Sequence, residues 1–174
     1  MREVCNPEVG RRRLARDLRG LRTAAGCTID DVARHLECSA AKVSRMETGS
    51  VRVGLSDLRA VLDFFGVDGG RREVLFDLAR GSRVRGWWQS FADVVPPSSE
   101  IFYGLEDGAT AIGQHCTSLV PGLLQTEAYA RTLIESVPGA SRDVTDCRVE
   151  LRLRRQRLLA RDRPPRLHLS LIHI

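Results

Sequence analysis

Apolar positions in the first half of the chain recur at helical spacing. In "RRRLARDLRGLRTAA", Leu14, Leu18, Leu21 and Ala25 share one face of a helix that Gly26 ends. Thr28 is placed to cap "IDDVARHL", with Asp30 and Asp31 in the first turn beside the positive end of the helix dipole. Ser39 caps the next segment, whose inward residues are Val43 and Met46. After Gly49 and the loop "SVRVGL", Ser56 opens a fourth helix with Leu58, Val61, Leu62 and Phe65 on one side, and "RREVLFDLARGSRVRG" reads as a fifth. Residues 1–10 are expected to be a flexible N-terminus, and the "RRR" at 11–13 a solvated helix start.

The pattern changes beyond residue 86. "GWWQSFADVVPPSSE" pairs two tryptophans, read as a packing anchor between domains, with a Pro-Pro-Ser-Ser run, so residues 87–100 are expected to be a connector. "ATAIGQHCTSLV" reads as a strand, "TEAYARTLIES" as a helix from Thr126, and "VTDCRVELRLRRQRLLAR" as a longer helix stopped by Pro164 and Pro165. "RLHLSLIHI" alternates like a strand. Its end, "LSLIHI" at 169–174, has two readings. One is a terminal strand; the other is a non-native tail, because CTG TCT CTT ATA CAC ATC encodes it and resembles the end of a sequencing transposon. The fold expected is mainly α: a five-helix domain over 11–86, then an incomplete mixed α/β domain over 101–168.

Composition narrows the partners. Residues 1–85 hold 17 basic and 12 acidic side chains, whereas 86–174 hold ten of each, so the excess positive charge lies where a polyanion would be met. No run has the apolar length of a membrane helix and no apolar stretch follows the basic start, so a cytoplasmic protein with no membrane partner is expected. Five scattered cysteines without a CxxC pair suit a reducing compartment. Cys27, His35 and Cys38 lie close in sequence but lack a fourth ligand, so neither metal nor cofactor is expected.

Residues 28–49 carry the chemistry. Two short helices cross closely only where a small residue lets their backbones approach; Ala33 is that residue, and Val32, Leu36, Val43 and Met46 fill the wedge. The second helix then presents Ser39, Ala40, Ala41, Ser44 and Arg45 outward. Such a face, slim at its start, suits the major groove of double-stranded DNA, about 12 Å wide. Ser39 suits a base edge or phosphate, Ala40 and Ala41 thymine methyls, and Arg45 a guanine. Lys42, the one lysine of the chain, points toward the strand wall and is assigned to phosphate, with Thr48, Ser50 and Arg52.

Thr28 to Gly49, with Leu21-Arg22 ahead of it, resembles the Cro and lambda-repressor-like helix-turn-helix family, also called the xenobiotic-response-element family. The resemblance covers roughly residues 11–66, and it implies a sequence-specific transcriptional regulator that acts as a homodimer. It also implies a structural ion pair between Arg22 and Glu47. Glu37 stands where the family has glycine, which implies a left-handed non-glycine residue at a cost of about 1 to 2 kcal/mol. Ile29 replaces a common glutamine, which removes a phosphate contact and leaves the backbone N–H groups near Thr28 for that role.

"YGLEDGATAIGQHCTSLVPGLLQTEAYARTLI", residues 103–134, resembles a domain of unknown function that follows such heads in antitoxin-like regulators of GC-rich filamentous bacteria. Those proteins run well past residue 174, which implies a truncated fragment here. It also implies an alternative function: an antitoxin-like module that captures a small partner protein while its head autoregulates its own operon. Catalysis is not expected. His115 and Cys116 invite a nucleophile reading, but neighbours on a strand point to opposite faces.

Overall fold

Asn6 sets the start of the first helix. Its side-chain oxygen accepts from the Glu8 and Val9 backbone N–H groups, Pro7 takes a position that needs no donor, and α1 runs Pro7–Ala24. The computed structural model describes residues 6–139 and 141–171. Within them the expected flexible N-terminus is corrected, because residues 7–10 are helical and Glu8 and Gly10 are buried; residues 1–5 lie outside the described residues. Arg11, Arg12 and Arg13 therefore occupy the second turn, where Arg11 and Arg12 both pair with Glu8.

Two compact units make up the chain, with the boundary between Gly86 and Trp87. In the first, α1 is followed by α2 (Ile29–His35), α3 (Ala40–Thr48), α4 (Leu55–Phe64) and α5 (Gly69–Gly81). Gly54, not Ser56, is the N-cap of α4. Leu14, Leu18 and Leu21 of α1 form one buried cluster with Val32, Ala33, Val43, Met46, Leu58, Leu62, Leu75 and Phe76. Val43 and Met46 are each only 2% exposed. That burial fixes which side of α3 is left for solvent, and truncating a buried Met to Ala costs about 2 to 5 kcal/mol.

The second unit is mainly helical with a small parallel sheet. A 3-10 turn at Trp87–Phe91 is followed by α6 (Pro97–Asp107), β1 (Ala111–Cys116), α7 (Glu127–Glu135), α8 (Arg142–Gln156) and β2 (Arg166–Leu171). Strands β1 and β2 pair in parallel from Ala111 with Arg166 to Cys116 with Leu171. Of the stretch 169–174, residues 169–171 thus lie in the sheet, while 172–174 lie outside the described residues.

The expected connector at 87–100 is also corrected. Phe91 and Val95 are buried against Leu151 with Trp87 and Tyr103 packed around them, and residues 97–100 already belong to α6. Trp87 Nε1 donates to Asp107 Oδ1 at 2.9 Å, so the anchoring contacts described for Trp87 lie inside the second unit.

One residue of the first unit is held against its preference. Glu37, between α2 and α3, has φ of 50°, and it is the only described non-glycine residue with positive φ. A Cβ is crowded there, whereas glycine is free of that cost. Glu37→Gly is expected to stabilise the protein by up to about 1 kcal/mol after the added entropy of the unfolded chain is offset. A urea midpoint that does not rise would contradict this.

Candidate nucleic-acid interface

The outward face of α3 is fixed from both ends. At its start the Ser39 hydroxyl accepts from the Lys42 backbone N–H at 3.3 Å. Its end is closed by Gly49 at φ of 70°, where a Cβ would lie 3.4 Å from the Ala15 side chain on α1. A Cβ would have room there, so it is the left-handed backbone that calls for glycine.

A buried ion pair sets the rotation. Arg22 Nε and Nη2 donate to the two oxygens of Glu47 at 2.7 and 2.8 Å, and Nη1 donates to the Cys27 carbonyl at 2.9 Å. The side chains are 13% and 7% exposed. The hydrogen bond that Arg22 donates to Glu47 leads in raising the Arg22 pKa above its ordinary value, so the charge is permanent. One guanidinium thereby ties the end of α1, the turn after it and the last turn of α3.

With Val43 and Met46 inward and Glu47 turned to α1, Ala41 and Arg45 are exposed and Ser44 is half-exposed. They share one face at helical spacing. Arg45 Nε donates to the Ala41 carbonyl at 3.3 Å, a local tether that leaves the rest of its fork open. Ser39 is exposed beside them with its hydroxyl hydrogen still able to donate. Ala40 is corrected: it is half-buried and packs on the first unit's core, because it falls near Val43 and Glu47 on the helix.

The expected phosphate residues divide into two groups. Thr48, Ser50 and Arg52 are exposed, and the Thr48 and Ser50 hydroxyls lie 2.9 Å apart. Lys42 is already partnered, with Nζ 2.8 Å from Asp57 Oδ2. Thr28 is likewise engaged, here by its own helix cap. Its backbone N–H donates to Asp31 Oδ2 at 2.9 Å and its hydroxyl accepts from the Asp31 N–H, so the cap is closed by a carboxylate. With Asp30 beside it, that helix start repels an anion. Ile29 packs against the core instead of reaching outward.

Sequence reasoning missed Asp31 as the reciprocal cap and Asp57 as the partner of Lys42. Thr-Ile-Asp-Asp carries the first signal in its spacing. Nothing local carries the second, since the partners lie on different helices.

Elsewhere, His115 is exposed and Cys116 half-buried on opposite faces of β1. His35 stacks on Phe64 with ring centroids 4.3 Å apart. No three potential metal ligands come together among the described residues, and none of their helices is long and apolar enough to cross a membrane. In the second unit α8 supplies a buried polar network. Arg155 makes a two-point pair with Glu106 at 2.7 and 2.8 Å, while Gln156 Nε2 donates to the carbonyls of Gly122 and Gln125. Burial disfavours the Arg155 charge, but Glu106 outweighs it and the pKa is raised.

A capped short helix, a tight turn and a second capped helix with one face left open define a helix-turn-helix domain. Residues 13–75 match the model of a helix-turn-helix domain, and residues 100–173 match that of a domain of unknown function (DUF5753). Together the matches support a helix-turn-helix regulator that binds DNA. No curated protein and no solved structure matches the chain.

Two outcomes follow for this site. Arg22→Ala or Glu47→Ala alone is expected to cost about 3 to 5 kcal/mol by stranding a buried charge. The double variant should cost less than the sum, and strict additivity in urea unfolding would show that the two do not act as a unit. The second concerns Asp31, whose carboxyl is held below its ordinary pKa, first by the Thr28 hydroxyl and then by the Thr28 backbone N–H. Its contribution is therefore present above the unfolded-state pKa and is lost as pH falls through the folded one. Thr28→Ala should move the Asp31 titration part of the way back up, as read by carboxyl-carbon NMR.

Proposed function

We propose that this protein is a sequence-specific regulator of transcription of the Cro and lambda-repressor-like kind, which reads the major groove of double-stranded DNA with α3. The observation that carries this reading is the open face formed by Ala41, Ser44 and Arg45, with Ser39 exposed at its start. Small side chains there let the backbone approach base edges, and Arg45 has the reach to fork onto a guanine. Thr48, Ser50 and Arg52 flank that face as phosphate contacts, and Lys42 joins them by leaving Asp57. The protein acts in the cytoplasm as a homodimer whose two heads read half-sites about 34 to 36 Å apart.

A second reading has its own support. Leu119, Val120, Leu124 and Tyr129 are exposed around a loop where the Val120 N–H donates to the Tyr129 hydroxyl at 3.4 Å. Exposed apolar side chains grouped in this way suit a protein contact, either a second copy or the small partner of an antitoxin-like module. In both readings the second unit works by binding and not by catalysis, which the opposed faces of His115 and Cys116 favour.

Selection of bound duplexes from a random pool with the full chain tests the first reading. Arg45→Ala is expected to weaken the selected site by about 1 to 3 kcal/mol and to relax preference at one base pair. Equal loss on every sequence would move Arg45 from base reading to phosphate binding.

A further inference from the structure

Lys42 leaves α3 from the flank of its outward face, and Asp57 lies in the first turn of α4. Both oxygens of Asp57 are within reach of the ammonium, Oδ1 at 2.9 Å and Oδ2 at 2.8 Å. Yet the pair is not sealed in, because the side chains remain 39% and 27% exposed. An ion pair this open contributes little to stability. Its larger effect is on which charges α3 offers to an incoming polyanion.

Resting on the reading of α3 as the DNA-facing helix, we propose that Asp57 is an intramolecular competitor of DNA that lowers the affinity of α3 by holding the Lys42 ammonium. A duplex phosphate takes Lys42 only by displacing the Asp57 carboxylate, so the pair sets a cost on DNA binding that is removed with the carboxylate.

The physics is an exchange of ion pairs. On DNA without the right bases the protein is held loosely by charge, and a phosphate gains Lys42 only by displacing a carboxylate already hydrogen-bonded to it. The displaced Asp57 is then left unpaired beside another anion, so the exchange is unfavourable. On a cognate site, base contacts through Arg45 and its neighbours fix the distance between Lys42 and one phosphate and offset that cost. The hydrogen bond to Asp57 raises the Lys42 pKa, so the ammonium stays charged and its availability depends on geometry rather than proton loss. Asp57 thus lowers affinity for every duplex, and for a cognate one, where the exchange is carried through, at least as much as for a random one.

The test compares the full chain with Asp57→Asn, Lys42→Met and the double variant, each checked for folding by thermal melting. Binding is measured across salt on a random-sequence duplex and on a duplex selected by the unaltered chain. Asp57→Asn is expected to bind the random duplex roughly fivefold tighter near 0.1 M salt, with the slope of log K against log salt steeper by about one unit. The selected duplex should gain at least as much, because there the exchange is carried through and its whole cost is removed. In the Lys42→Met background the gain should shrink to the small part that comes from removing one anion near the duplex, since the carboxylate then has no ammonium to withhold. A smaller gain on the selected duplex than on the random one, a gain undiminished without Lys42, or no gain overturns the proposal. Failure of the unaltered chain to bind either duplex would bring down the DNA reading of α3 and this proposal with it.

Discussion

A single guanidinium, that of Arg22, holds the first unit in a form that leaves α3 open. It bonds both Glu47 oxygens and the Cys27 carbonyl, so three segments that share little sequence are fixed to one planar group. A lysine would carry the charge but not the planar fork, and the rotation of α3 would lose one of its two constraints. The other constraint is apolar: Val43 and Met46 are buried, and Ala33 on α2 is small enough for the two helices to approach. Hydrophobic burial chooses the side of α3 that faces inward, and the ion pair fixes how far the helix is turned.

Most of the first unit was legible in the sequence because its signals are local. Apolar spacing found Leu14, Leu18 and Leu21, and the caps at Thr28 and Ser39 fall where small hydroxyl residues precede apolar runs. The left-handed Glu37 followed from the departure it makes from the family it resembles. What escaped was tertiary. Ala40 was placed on the outward face, but α3 begins with its first residue already against the core. Thr28 was read as open to phosphate, yet the acid three residues on closes its cap. The position of Lys42 on the helix assigns it to phosphate, and its partner in the structure lies on α4.

The second unit was less legible for a different reason. Its ordering groups are charged, and a run such as "RLRRQRLLAR" reads by composition as a solvated helix surface. In the structure Arg155 and Gln156 turn inward, where Glu106 and the carbonyls of Gly122 and Gln125 satisfy them. The run of Pro96-Pro97-Ser98-Ser99 looked like a linker, but Pro97 takes the first position of α6, where proline's missing donor costs nothing. Hydrophobic patterning cannot report a core built partly from arginine.

The pairing of β1 with β2 has a consequence for the order in which the chain acquires its shape. The first unit is complete once α5 has emerged to pack on α1, whereas Ala111 must wait for Arg166 before the sheet exists. On the ribosome, therefore, the helix-turn-helix head is complete while β1 still has an unpaired edge, and α7 and α8 emerge before that edge is covered. During synthesis the strand at Ala111–Cys116 is the segment most exposed to pairing with the wrong chain.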